Sequence, residues 1–165
     1  MTHAASSVIR PLDLVQDRFL KEIGMSSLDA LLHFKLAPLS SRRDMANLGI
    51  IHRSVLGMGP SQFRQYFVKD LSPAHRYVLR TTRSHSNQLL DPYRALHRDY
   101  INRSVLGYIA IYNLLPQWAV ASESVHVFQS RLQDILCDRA QAGAESWWLL
   151  FSAREALTFH PLRSL

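Results

Sequence analysis

Ser122-Glu123-Ser124-Val125-His126-Val127-Phe128-Gln129-Ser130-Arg131-Leu132-Gln133-Asp134-Ile135-Leu136 is the stretch that decides the fold. Val125, Phe128, Leu132, Ile135 and Leu136 fall at helical spacing and give one apolar face. Ser122 or Ser124 supplies a capping oxygen at its start, and Gly143 closes it. Cys137 lies in the same pattern and reads as a small core thiol. With one cysteine, no internal disulfide or multi-cysteine zinc site can form.

The same period recurs on either side. Leu12, Val15, Phe19 and Ile23 form an apolar stripe on a helix expected from Pro11 to Ile23, ended by Gly24. Ser26, with Asp29 three residues on, opens a second helix carrying Leu28, Leu31 and Leu32, which Pro38 breaks. Ser41 and Asp44 are expected to open a third, with Met45, Leu48, Ile51, His52, Val55 and Leu56, ended by Gly57, Gly59 and Pro60. A short helix is expected over 61–67, an apolar helical face at Ile101, Val105, Leu106, Ile109 and Tyr112, and a last helix over 145–153 with Trp147, Trp148 and Phe151. Between 70 and 99 the periodicity fades, and Pro73, Pro92 and the polar cluster 84–87 indicate a long, partly extended connection. The fold class is therefore all-α, with about six helices in one domain over 10–157: helices 10–67, a basic connection 70–100 and C-terminal helices 101–155. Residues 1–9 and 158–165 read as a loose N-terminus and tail. The phrases I-H-R-S-V-L-G (51–57) and I-N-R-S-V-L-G (101–107) share no flanks, so they read as coincidence between two amphipathic helices.

Charge is unevenly distributed. Residues 42–103 hold eleven Lys+Arg against four Asp+Glu, a net of +7, while the flanks are near neutral. All but Lys69 of these cations are Arg, whose planar fork suits phosphate. Arg42, Arg43 and Arg53 fall on the third helix and Arg64 on the fourth. Arg76, Arg80, Arg83, Arg94, Arg98 and Arg103 decorate the connection. Tyr66, Tyr77, Tyr93 and Tyr100 interleave with them, as stacking platforms for bases would. The candidate nucleic-acid contacts are Arg42, Arg43, Arg53, Arg64, Arg76, Arg80, Arg83, Arg98 and Arg103; the competing reading is a solvated basic surface.

Catalytic patterns are incomplete. His97-Arg98-Asp99 spells the start of a kinase catalytic loop, but Ser104 stands where its Asn belongs, and no Gly-rich phosphate loop precedes it. The eight histidines form neither HExxH nor a His/Cys zinc spacing, so neither metal nor cofactor is expected. His75, His85 and His97 read as solvated or phosphate-facing, and His33 and His52 as packing on their helices. A small enzyme built on His75, His85, His97 and Asp99 is the remaining catalytic option. No two aspartates are adjacent, which argues against two-metal nucleotidyl transfer. No apolar run approaches the ~18 residues of a membrane span, and Met1 to Ser7 lacks a secretory signal, so an intracellular setting, cytosol or nucleus, is expected without a membrane partner.

Leu36-Ala37-Pro38-Leu39-Ser40-Ser41-Arg42-Arg43-Asp44 and Leu48-Gly49-Ile50-Ile51-His52-Arg53-Ser54-Val55-Leu56-Gly57 resemble a stretch downstream of the polymerase motifs in non-LTR (LINE-type, jockey-like) retrotransposon reverse transcriptases. Arg103-Ser104, Tyr112-Asn113-Leu114-Leu115-Pro116, Ser124-Val125 and Phe128…Leu132 follow in the order of that family's second landmark. Leu14-Val15-Gln16 through Ile23-Gly24 is similar to the first thumb-like helix, so the resemblance covers residues 12–135. It implies a thumb and post-polymerase segment that grips RNA or an RNA–DNA duplex and works beside a separate polymerase body. The family's fingers, palm, endonuclease and zinc knuckle have no counterpart here, so the implied role is non-catalytic. The alternative is a protein-interaction module, or an inert helical fragment, with Trp118, Trp147, Trp148 and Phe151 as its aromatic patch.

Overall fold

A computed structural model describes residues 6–71, 85–92, 101, 104–153 and 160–164. Among them are six α-helices: α1 (Ser6–Glu22), α2 (Ser27–Phe34), α3 (Leu39–Val55), α4 (Tyr108–Tyr112), α5 (Gln117–Val120) and α6 (Val125–Gln141). Short 3₁₀ turns cover Ser61–Phe63, Val105–Gly107, Trp147–Leu149 and Pro161–Ser164. The chain is all-α, as its periodicity indicates.

α6 is the helix the sequence describes most fully. Ser124, not Ser122, caps it, with the Ser124 hydroxyl accepting from the Val127 N–H (3.2 Å). Phe128, Leu132, Ile135 and Leu136 are buried against α3, which contributes Met45, Leu48 and Ile51. Leu31 of α2, Ile109, Ile111 and Tyr112 of α4, and Ala119 and Val120 of α5 complete the core. Cys137 is buried among them.

The end of α3 depends on its glycines. Gly57 takes a left-handed conformation (φ 77°), and its N–H bonds the Ser54 carbonyl while that of Met58 bonds the Arg53 carbonyl. Gly59 then passes so close to Ser54 that a Cβ would lie 2.9 Å from the Ser54 Cα, so no other residue fits there without displacing the helix.

Several local expectations are corrected. α1 already includes Ser6, so residues 6–9 are helical and Pro11 sits inside the helix. Its stripe does not face the core: Leu12, Val15, Phe19 and Ile23 are each more than half exposed, while Leu20 is buried. α3 starts at Leu39 without a side-chain cap. Ser41 is instead buried, its hydroxyl donating to the Trp148 carbonyl (2.8 Å), and Asp44 accepts from the Tyr108 hydroxyl (2.6 Å). Both side chains hold other elements rather than their own helix end. The helices expected over 61–67 and 145–153 are 3₁₀ turns. The tail is not loose at 160–162: His160 and Leu162 are buried, and the Pro161 carbonyl accepts from Arg139 (2.6 Å). The described parts of the two similar seven-residue phrases take different structures, one ending α3 and the other forming the 3₁₀ turn Val105–Gly107.

Of the long connection, the described parts are extended where they meet. Lys69 and Leu89 form an antiparallel bridge, flanked by Asp70 N–H to Gln88 O (2.8 Å) and Leu90 N–H to Val68 O (2.9 Å). Residues 72–84 and 93–100 lie outside the described residues.

Phe128 is fully buried between α3 and α4. Phe128→Ala is expected to cost about 3–5 kcal/mol through lost burial and the cavity left behind. A urea denaturation series reads this as a lowered midpoint with an unchanged slope.

Candidate nucleic-acid interface

α3 sorts its three arginines by their position on the helix. Arg42 and Arg53 are eleven residues apart, close to three full turns, so they share one face about 16 Å apart along the axis. Both are exposed. The Arg53 Nε donates to the Met58 carbonyl (3.1 Å), which ties the side chain to the turn that ends α3 and leaves the terminal nitrogens out of that bond. Neither residue forms an ion pair with a described carboxylate.

Arg43 differs. Its two terminal nitrogens grip both oxygens of Asp13 on α1, at 2.7 and 2.9 Å, and both side chains are about one-third exposed. That bidentate geometry uses the fork that a phosphate would otherwise occupy. Arg43 joins α1 to α3.

Beyond the glycine turn, Arg64 is exposed, with Phe63 and Tyr66 exposed on either side of it. Phe67 anchors this segment: it is buried, edge-on to Phe63 at 6.0 Å. Of the nine arginines singled out in the sequence, the structure places Arg42, Arg53 and Arg64 on the surface. Arg76, Arg80, Arg83, Arg98 and Arg103 lie outside the described residues, as do Tyr77, Tyr93, Tyr100, His75, His97 and Asp99.

A second polar constellation is internal. His52 is fully buried, stacked on Phe128 with centroids 4.1 Å apart. Its Nε2 lies 3.0 Å from the Ser122 carbonyl, which can only accept, so Nε2 carries the proton and Nδ1 accepts from the Tyr112 hydroxyl at 3.0 Å. His85, read from sequence as solvated or phosphate-facing, is buried too. It packs edge-on against Tyr112, and its Nε2–H donates to the Tyr112 carbonyl (2.9 Å). The rest of its segment is tied down by side-chain amides. The Asn113 carboxamide bonds both the N–H and the carbonyl of Leu89, each at 2.8 Å, and Asn87 donates to the Val120 carbonyl (3.0 Å). The sequence signals were there, in the 84–87 polar cluster and Tyr112-Asn113, but nothing in their spacing joins them.

Burial lowers the affinity of both imidazoles for a proton, and the carbonyl each donates to offsets this only in part. Burial also raises the Tyr112 hydroxyl well above its ordinary value. Among the described residues no group of three or more His, Cys, Asp or Glu is placed to hold a metal. No described helix is long and apolar enough to cross a membrane. No family model matches the chain, and neither a curated protein nor a solved structure matches it significantly.

A group whose folded pKa is depressed below the unfolded value favours the native state while neutral. The contribution of His52 and His85 is therefore fully present above pH ~6.5, and as pH falls below that value it is lost at up to about 1.4 kcal/mol per pH unit for each imidazole. Urea midpoints measured between pH 8 and pH 5 are expected to fall on the acid side, and less steeply in His85→Gln, whose amide can still donate to the Tyr112 carbonyl.

Proposed function

We propose that this chain is a non-catalytic helical module that binds RNA or an RNA–DNA duplex through an Arg-bearing surface. It would act as the post-polymerase segment of a non-LTR reverse transcriptase does, beside a separate polymerase body. The observation that carries this reading is the disposition of Arg42 and Arg53 on one face of α3. Both are outward and without carboxylate partners among the described residues, while Arg43 between them is neutralised from within. Two such cations on a rigid helix, about 16 Å apart, present donors along a line, which suits phosphates separated by two or three nucleotides of a backbone or facing each other across a groove. Arg64, past the glycine turn, is a further exposed cation, with the exposed rings of Phe63 and Tyr66 next to it in the chain. Contacts of this kind favour affinity and positioning over sequence discrimination. The absence of adjacent aspartates from the sequence supports a binding role over a polymerase one.

A second reading, a protein-docking surface, draws on Trp118 (49 % exposed) and Trp148 (43 % exposed). It does not include Phe151, which is buried, or Trp147, which packs against the core.

Fluorescence anisotropy with a labelled RNA–DNA hybrid across a salt series tests the first reading. Binding is expected to weaken steeply with salt, with each of Arg42→Ala, Arg53→Ala and Arg64→Ala reducing the magnitude of the log–log slope by about 0.7–0.9. Arg43→Ala is expected to lower stability by about 1 kcal/mol or less and to leave the slope intact. A folded chain that fails to bind at low salt defeats the nucleic-acid reading and favours the tryptophan surface.

A further inference from the structure

The apolar stripe of α1 is left exposed among the described residues. Leu12, Val15 and Phe19, continued by Ile23, are 59, 64, 53 and 51 % exposed. At 100° per residue they span an arc of about 80°, whose centre lies about 100° from Leu20, the residue that α1 buries. Beside Leu20, two described side chains of α1 reach the body through polar contacts: Asp13 bonds Arg43, and the Gln16 amide donates to the Ala37 carbonyl (3.2 Å). Singly exposed apolar residues are ordinary, but four on one stripe of a helix mark a surface that meets something.

The stripe carries its own description of what it meets. Steps of three and four residues between Leu12, Val15 and Phe19 are those of a seam between two helices. Its outer edge is bordered by Arg18 and Glu22, one cation and one anion four residues apart, both exposed and not paired with each other. That balance suits neither an anionic lipid surface nor a polyphosphate, both of which call for a cationic border. Under an antiparallel two-fold axis it is complementary to itself. With the axis near Phe19, the two Phe19 rings meet, Val15 faces Ile23 of the second copy, and Arg18 comes within reach of the second copy's Glu22. We propose that α1 is a self-association helix: two copies of this chain pair antiparallel through Val15, Phe19 and Ile23, with reciprocal Arg18–Glu22 contacts at the edge. The contact is isologous, so it closes at two copies and does not propagate.

Sedimentation velocity on the full chain, from low micromolar to near-millimolar concentration, tests this without reference to nucleic acid. A concentration-dependent dimer is expected. Phe19→Glu, at an exposed position, should raise the dissociation constant about tenfold or more with an unchanged circular dichroism spectrum. Val15→Lys gives the same readout independently. Arg18→Glu should weaken the dimer, and the double exchange Arg18→Glu with Glu22→Arg should restore it, because the reciprocal pairs are then rebuilt in reverse. A chain that stays monomeric throughout, a dimer indifferent to Phe19→Glu, or a double exchange no better than the single one overturns the proposal.

Discussion

His52 is a polar ring wholly removed from the protein surface. It lies fully buried on α3 against Phe128 of α6, and leaving either ring nitrogen unpaired there would cost about 1–3 kcal/mol. Both are paired, and each partner constrains a different element. The Ser122 carbonyl must sit just before the start of α6, and the Tyr112 hydroxyl must reach in from α4. Tyr112 then passes the constraint on, since its carbonyl accepts from His85 and its ring packs edge-on against that imidazole. Three helices and a distant segment are thereby held in one register by polar contacts that an all-apolar core would not specify.

The segment around His85 shows how side chains can replace a missing strand. At Leu89 the Asn113 carboxamide supplies one acceptor and one donor, the pair that a neighbouring β-residue would provide. On its other side Leu89 bridges Lys69. The residues from His85 to Leu90 thus satisfy much of their backbone without belonging to a sheet or helix. Asn113 can do this because α4 has just ended: as the residue that follows Tyr112, it presents its amide beside the helix rather than into it.

What could be read from the residues follows from how local the signal is. α6 announces itself because cap, apolar face and closing glycine all lie within one helix, and the Gly57–Pro60 turn because its geometry is set by adjacent residues. Ser41 and Asp44 mislead for the converse reason. Ser, followed three residues on by Asp, is a local capping pattern, but the hydroxyl and the carboxylate were taken up by Trp148 and Tyr108, more than sixty residues away. His85 misleads in the same way: among Ser and Asn it looks solvated, and only Tyr112, distant in sequence, makes it buried. For the arginines, the block of charge was legible as composition. Which of them point outward was not, because Arg43 differs from Arg42 only by a 100° turn toward Asp13.

α1 carries that lesson to its limit. Periodicity states that one face of a helix is apolar; it does not state that the same chain covers it. Among the described side chains of α1, those that meet the body are Leu20, which is buried, and Asp13 and Gln16, which hold an ion pair and a hydrogen bond. Removing Leu12, Val15 or Phe19 would forfeit little burial within this fold, because each already has more than half its surface exposed. The stripe therefore adds little to the chain's own stability and keeps most of its apolar area for whatever α1 docks against.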